Sequence, residues 1–282
     1  MQSLPKSRRH GSDSIRSRVT PNSQRHANRV LHALLILFAC FTPASASAQV
    51  KVIISGGFTA AYRELLPQFE KSTGITVTTS SGGSVGNGPN TIGAQVRRGV
   101  PADVVILARE GLRDLIAERL TVPGTDRDLG RSIIGMVVRA GAPTPDISTV
   151  DKLRTALLAA KSVAMSSSTS GVYLTTTLFP KLGIADAMKS KTTMDGAARV
   201  GRGDAEIGLQ QVSELLPIAN TTFVGPIPNE VQYVTTYAGA VVATSTQVEA
   251  GRRLIAFLSS DTAAAAIARS GMEPAAGARP AP

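Results

Sequence analysis

The chain has 282 residues, 43% of them apolar, and a formal net charge of +10. That length holds one large domain or two small ones, and the apolar share is enough to bury a core. The positive charge suggests nucleic acid as a partner, but its distribution along the chain excludes that reading.

Residues 1–29 carry Lys6, Arg8, Arg9, Arg16, Arg18, Arg25 and Arg29 against the single acid Asp13. The apolar run Val30 to Phe41 follows, then Pro43 and the small-residue string Ala44-Ser-Ala-Ser-Ala48. A basic segment, a short apolar segment and an Ala-x-Ala site define a secretory signal peptide over residues 1–48, cleaved after Ala48. The apolar run is shorter than the ~20 residues a membrane span needs, so none is expected. Leu37-Phe-Ala-Cys40 also resembles a lipoprotein box, and lipidation at Cys40 is the less favoured alternative to a freely periplasmic protein.

Removing 48 of the 282 residues leaves 234. Seven of the 30 basic residues and one of the 20 acids go with the leader, so the net charge falls from +10 to +4. No nucleic-acid partner is expected at that charge. His10, His26, His32 and Cys40 also go, and the exported chain has neither His nor Cys. Gly82-x-Ser84-x-Gly86 matches the G-x-S-x-G serine-hydrolase pattern, but no His exists to take the serine proton. Thiol, disulfide and zinc chemistry lose their usual groups in the same way, and no metal site or cofactor is expected.

Lys51 to Ile54 reads as a buried strand ending at Ser55-Gly56-Gly57. Phe58, Ala61, Tyr62, Leu65, Leu66 and Phe69 then form a helical stripe that ends at Gly74, a good C-cap residue. Ile75 to Thr79 is the next strand and runs into the loop Ser80-Ser-Gly-Gly-Ser-Val-Gly-Asn-Gly88. A short helix from Thr91 to Arg98, a strand from Asp103 to Leu107 and a helix through Leu112, Leu115, Ile116 and Leu120 follow. A new segment begins near Arg131 with the apolar run Ile133 to Val138. After it come a helix from Ser148 to Lys161, a strand from Val163 to Met165 and a second hydroxyl-rich loop, Ser166-Ser-Ser-Thr-Ser-Gly171. A helix through Leu174, Leu178 and Leu182, a strand Ala205 to Leu209 ending in Gln210-Gln211, and an extended run from Val231 to Val242 complete that segment. Two helices, centred on Leu254 to Leu258 and on Ala263 to Ala268, precede a tail from Gly271 expected to be disordered.

Strands alternating with helices predict an α/β fold with open, mostly parallel sheets. Several strands end in small, hydroxylated or amide residues just before a helix. One such loop reads as a cap or a turn. Several at equivalent strand ends read as one site for a small anion, held by neutral donors and helix N-termini. The glycine spacing fits neither a Rossmann nor a P-loop pattern.

The chain resembles the type 2 periplasmic solute-binding proteins, and within them the molybdate-binding protein family. The stretches that carry the resemblance are Val52 to Ala61, Gln68-Phe-Glu-Lys-Ser-Thr-Gly74, Gly99-Val-Pro-Ala-Asp-Val-Val105, Ser170-Gly-Val-Tyr173 and Gly203-Asp-Ala-Glu-Ile-Gly208. It implies two lobes joined by hinge strands: residues 49–130 plus 240–282, and residues 131–239. It also implies a monomer that closes on a small anionic ligand, a molybdate-type oxyanion or a di- or tricarboxylate, and delivers it to the membrane component of an ABC transporter. The strand-end loops supply the candidate ligand-binding residues: Ser55, Gly56, Gly57, Ser81, Ser84, Ser168, Ser170, Gly171 and Gln211. Two departures stand out: Gly57 aligns with the family's binding serine, and Gln211 with its binding tyrosine. Both weaken an oxyanion site and leave amide donors suited to carboxylates.

An alternative follows from the same resemblance, because aconitate isomerase, a secreted enzyme, is similar to this fold family. Moving a double bond within a tricarboxylate needs a base near the carbon losing its proton, and donors for the charge that forms. Without His, the candidates are Tyr62, Tyr173, Glu64 or a lysine, and Tyr173 at the second loop is the choice for a catalytic residue.

Overall fold

The structure is a computed structural model and describes residues 48–275. The leader with Cys40, and residues 276–282, lie outside them. Eleven strands form two sheets among the described residues.

The first sheet contains β1 (Gln49–Ile54), β2 (Thr76–Ser81), β3 (Val104–Ala108), β4 (Arg127–Ser132), β10 (Thr235–Val241) and β11 (Glu273–Pro274), in the order β11-β4-β10-β3-β1-β2. β1, β2 and β3 are parallel, whereas β10, β4 and β11 run antiparallel to their neighbours. The second sheet contains β5 (Ile134–Arg139), β6 (Val163–Met165), β7 (Thr192–Thr193), β8 (Ile207–Gln211) and β9 (Thr221–Pro226), in the order β7-β6-β8-β5-β9. Here β6, β7 and β8 are parallel, and β5 and β9 antiparallel. The chain changes sheet twice, at Ile133 between β4 and β5 and again just before β10.

Each sheet carries its own core. In the first lobe the long helix Gly56–Thr73 packs Phe58, Leu65 and Phe69 against Ile54, Val104 and Ile255. In the second, Leu153, Leu157, Leu174 and Leu178 cover Met136, Met165 and Leu209. All thirteen are buried, and each such side chain contributes about 1.5–3 kcal/mol relative to exposure. Gly74 closes the long helix with φ +70°, the left-handed conformation expected of its C-cap. Within the Gly-x-Pro-Ala-Asp-Val block, Asp103 ties strands and loops together. Its carboxylate accepts from the Lys51 N–H at 2.8 Å and from the Ser245 hydroxyl at 2.7 Å.

Three expectations change. β4 has the polar sequence RDLGRS and shows no apolar run, yet it pairs with both β10 and β11. The tail is ordered where it is described, because Glu273–Pro274 adds to the edge of β4. β10 lies wholly in the first sheet, paired with β3 from Tyr237 to Val241, so a boundary at residue 240 would cut through a strand. The strands of the first sheet fall within residues 49–132 and 235–274, and those of the second within residues 134–226. The helix through Leu174 has an unexpected feature as well. Residues Leu174–Leu178 form a π turn, where Thr175 and Thr176 hydroxyls bond back to the Gly171 and Val172 carbonyls.

Candidate functional site

A cavity of about 520 Å³ opens where the carboxyl ends of β1 and β2 face those of β6 and β8. This is the place open parallel sheets reserve for ligands. The first lobe contributes Ser55 and Gly56 at the start of the 18-residue helix, then Ser81, Gly82 and Gly83, then Asn90, Gln95 and Arg98. The second lobe contributes Ser166, Ser168, Thr169, Ser170, Gln211 and Glu214, and Tyr237 comes from β10. Free N–H groups at the start of a long helix carry partial positive charge, which suits an anion.

Six of the nine expected ligand-binding residues therefore share one wall: Ser55, Gly56, Ser81, Ser168, Ser170 and Gln211. The other three support it from behind. Ser84 is 3% exposed and fully engaged. Its hydroxyl donates to Ser55 Oγ at 2.7 Å and accepts from the Ala108 N–H at 2.9 Å, while its own N–H donates to Ser168 Oγ at 2.9 Å. It links the ends of β1 and β3 to the second lobe's loop, and its hydroxyl already makes two hydrogen bonds within the protein. Gly171 is required by close approach, since a Cβ there would overlap the Ser166 carbonyl oxygen. Gly57 lies under Tyr237, whose hydroxyl occupies the place a Cβ would take.

Tyr173 is not in the cavity wall. Its ring stacks on Tyr233 at 4.8 Å between centroids, and its hydroxyl donates to the Val231 carbonyl at 2.8 Å. Proximity to the second loop in sequence does not set the direction of the side chain. Tyr62 is a core residue bonded to Thr79 at 2.9 Å, its phenol pushed up to about 12 chiefly by burial. Glu64 pairs with Arg269 on the surface.

The ionisable groups in the wall are ones the sequence left unremarked. Glu214 sits in the helix Val212–Leu215 that follows β8, with a carboxylate oxygen over Gly56, where a Cβ would overlap it. Burial pushes its carboxyl up to about 7, and a hydrogen bond from Gln210 only partly offsets this. Tyr237, 2% exposed, is held well above its ordinary value by burial and by the carboxyl of Glu214. Arg98 is the one cation in the wall among the described residues. Its neighbour Arg97 is paired with Glu118 at 2.6 Å, whereas Arg98 forms no ion pair there. Asn90 and Gln95 brace the loop between them, the Gln95 amide donating to the Ser81 and Asn90 carbonyls.

Two polar atoms of the wall are buried without a partner among the described residues: Gln211 Oε1 and Thr169 Oγ1. Gln211 Nε2 donates to Thr235 Oγ1 at 2.7 Å. A hydroxyl can donate as well as accept, so the amide can turn over and present its N–H groups to the cavity. A ligand that bonds these atoms removes the cost of leaving them unsatisfied.

Chemically, the wall combines neutral donors, one free cation and one carboxyl that is half ionised near neutral pH. That set can hold a polyanion and exchange a proton with it.

The family model of bacterial extracellular solute-binding proteins matches residues 50–273. An aconitate isomerase of Pseudomonas sp is 40% identical over 248 residues, covering 86% of this chain and 95% of that protein. Among solved structures, the periplasmic molybdate-binding protein of Azotobacter vinelandii superposes with a TM-score of 0.64 at 18% identity, over 79% of this chain and 98% of the other. The sulfate-binding protein of Mycobacterium tuberculosis H37Rv gives 0.58 at 19% identity, over 82% and 88%. At those identities the two structures speak for the fold alone.

Proposed function

The chain belongs to the bacterial extracellular solute-binding proteins, and from that premise we propose that its cavity interconverts cis- and trans-aconitate by proton transfer. Glu214 is the observation that carries this reading. A carboxyl poised near pH 7 is what a general base requires. The aconitate isomerase relative supports the choice of substrate.

In this mechanism ionised Glu214 removes a proton from the methylene carbon, between a carboxylate and the double bond. The C–H bond breaks, an O–H bond forms on Glu214, and the electron pair spreads over the three-carbon allylic unit and its carboxylates. Returning the proton to the carbon at the other end moves the double bond. Because the two ends carry the same substituents, the product is again aconitate, with the configuration set by how the cavity holds the new double bond. Arg98, Gln211 and the loop hydroxyls hold the carboxylates in place. In this reading the leader over residues 1–48 exports the protein to the periplasm. A second reading is a receptor for the same carboxylate that passes it to an ABC transporter; the two-lobed fold, with the cavity between the lobes, favours it.

A thermal-shift panel tests the ligand class. A ligand present at 100 times its Kd stabilises the folded state by about 2.7 kcal/mol, a rise of roughly 5–10 °C for a chain of this size. Both aconitate isomers should give such a shift, and molybdate or sulfate much less. A response to molybdate with none to any tricarboxylate would overturn the assignment.

A further inference from the structure

At Gly57, the Tyr237 hydroxyl occupies the space a side chain would take. Gly56 and Gly57 are consecutive, with Cα atoms ~3.8 Å apart. A Cβ on the first would overlap a Glu214 carboxylate oxygen, and a Cβ on the second would overlap the Tyr237 hydroxyl. The glycine pair is thus a cradle that seats a carboxyl and a phenol side by side at the cavity wall, one from the second lobe and one from β10.

We propose that Tyr237 is the second catalytic residue of the cavity: its hydroxyl, seated over Gly57 beside Glu214, donates a hydrogen bond to the carboxylate oxygen that gains charge when Glu214 takes the methylene proton. This rests on the isomerase reading of the same site. The step needs no co-reactant. The proton moves from carbon to Glu214 and back to carbon, and Tyr237 keeps its own proton throughout. Burial and the adjacent Glu214 carboxyl hold Tyr237 as the neutral phenol, the form that can donate. A preorganised donor of this kind acts on charge that exists only in the transition state, so it raises kcat with little effect on substrate binding.

The test is Tyr237→Phe in the full exported chain, which removes the hydroxyl and keeps the ring. The expected result is a fall of about 10²–10³-fold in kcat. KM for trans-aconitate should stay within a few-fold, and the melting-temperature shift with trans-aconitate should persist, which shows that the variant folds and binds. Gly57→Ala, whose Cβ would overlap the Tyr237 hydroxyl and ring and push both away from Glu214, should lower kcat to a similar extent. The double variant should be no worse than either single one, because both remove the same interaction. If wild type turns over and Tyr237→Phe matches its kcat, the role of Tyr237 is refuted and the isomerase reading stands. If wild type binds aconitate without converting it, both fall together.

Discussion

Glu214→Gln should abolish isomerisation while preserving binding: kcat falls about 10²–10⁴-fold, the contribution of a positioned general base. The amide has the shape of the carboxyl and can keep its contact with Gln210, but it cannot accept the methylene proton. It also removes a negative charge from beside a polyanion, so affinity for trans-aconitate at pH 8 should hold or improve. The pH dependence is a second signature. Glu214 works only when ionised, and burial has raised its carboxyl to about 7. Activity of the wild type should therefore rise with pH through about 7 and level off above it. The same shift has a stability consequence. Between the ordinary carboxylate range and about 7, the folded state holds a proton that the unfolded state has released. Stability should accordingly fall as pH rises through that window and then flatten. Glu214→Gln should remove this component of the slope. Stopped-time assays and thermal melts from pH 5 to 8.5 read both effects; a variant with wild-type kcat excludes Glu214 as the base.

Arg98→Ala should act on binding instead. A charge-assisted hydrogen bond contributes about 1.5–3 kcal/mol. Because Arg98 is exposed at the cavity mouth and screened by salt, a rise of about 10–100-fold in KM for aconitate is expected, with kcat changing little. The loss should shrink as ionic strength rises. Arg97→Ala is the control, since that guanidinium is engaged with Glu118 outside the cavity wall, and it should leave KM unaltered. Equal KM values for the two variants would show that Arg98 does not touch substrate.

The difference between these two arginines illustrates what the sequence could convey. In Val96-Arg97-Arg98-Gly99 nothing distinguishes them, and only the position of Glu118 across the fold occupies one and leaves the other free. The strand ends were legible because the pattern is local: an apolar run, then serine, glycine or glutamine, then a helix. That pattern located Ser55, Ser81, Ser168, Ser170 and Gln211, and the topology brings all five to one wall. Glu214 was concealed as an ordinary acid in the first turn of a short helix, three residues beyond Gln211. Tyr237 sits in a run that reads simply as a strand, and its role depends on β10 returning to the first sheet. Gly57 was visible as a departure, but whether it marks a missing hydroxyl or a relocated one depends on what packs over it. Chain proximity to the second loop fixes neither rotamer nor partner for Tyr173, whose ring and hydroxyl are taken up by Tyr233 and Val231.

The most direct measurement is to incubate the purified exported chain separately with cis-aconitate and with trans-aconitate, and to follow both isomers by chromatography until the composition stops changing. The account predicts that the two reactions converge on one mixture, at a rate proportional to protein concentration and lost in Glu214→Gln. Isomers that each remain unchanged at high protein concentration, although both raise the melting temperature, would contradict it and leave a receptor that binds aconitate without transforming it.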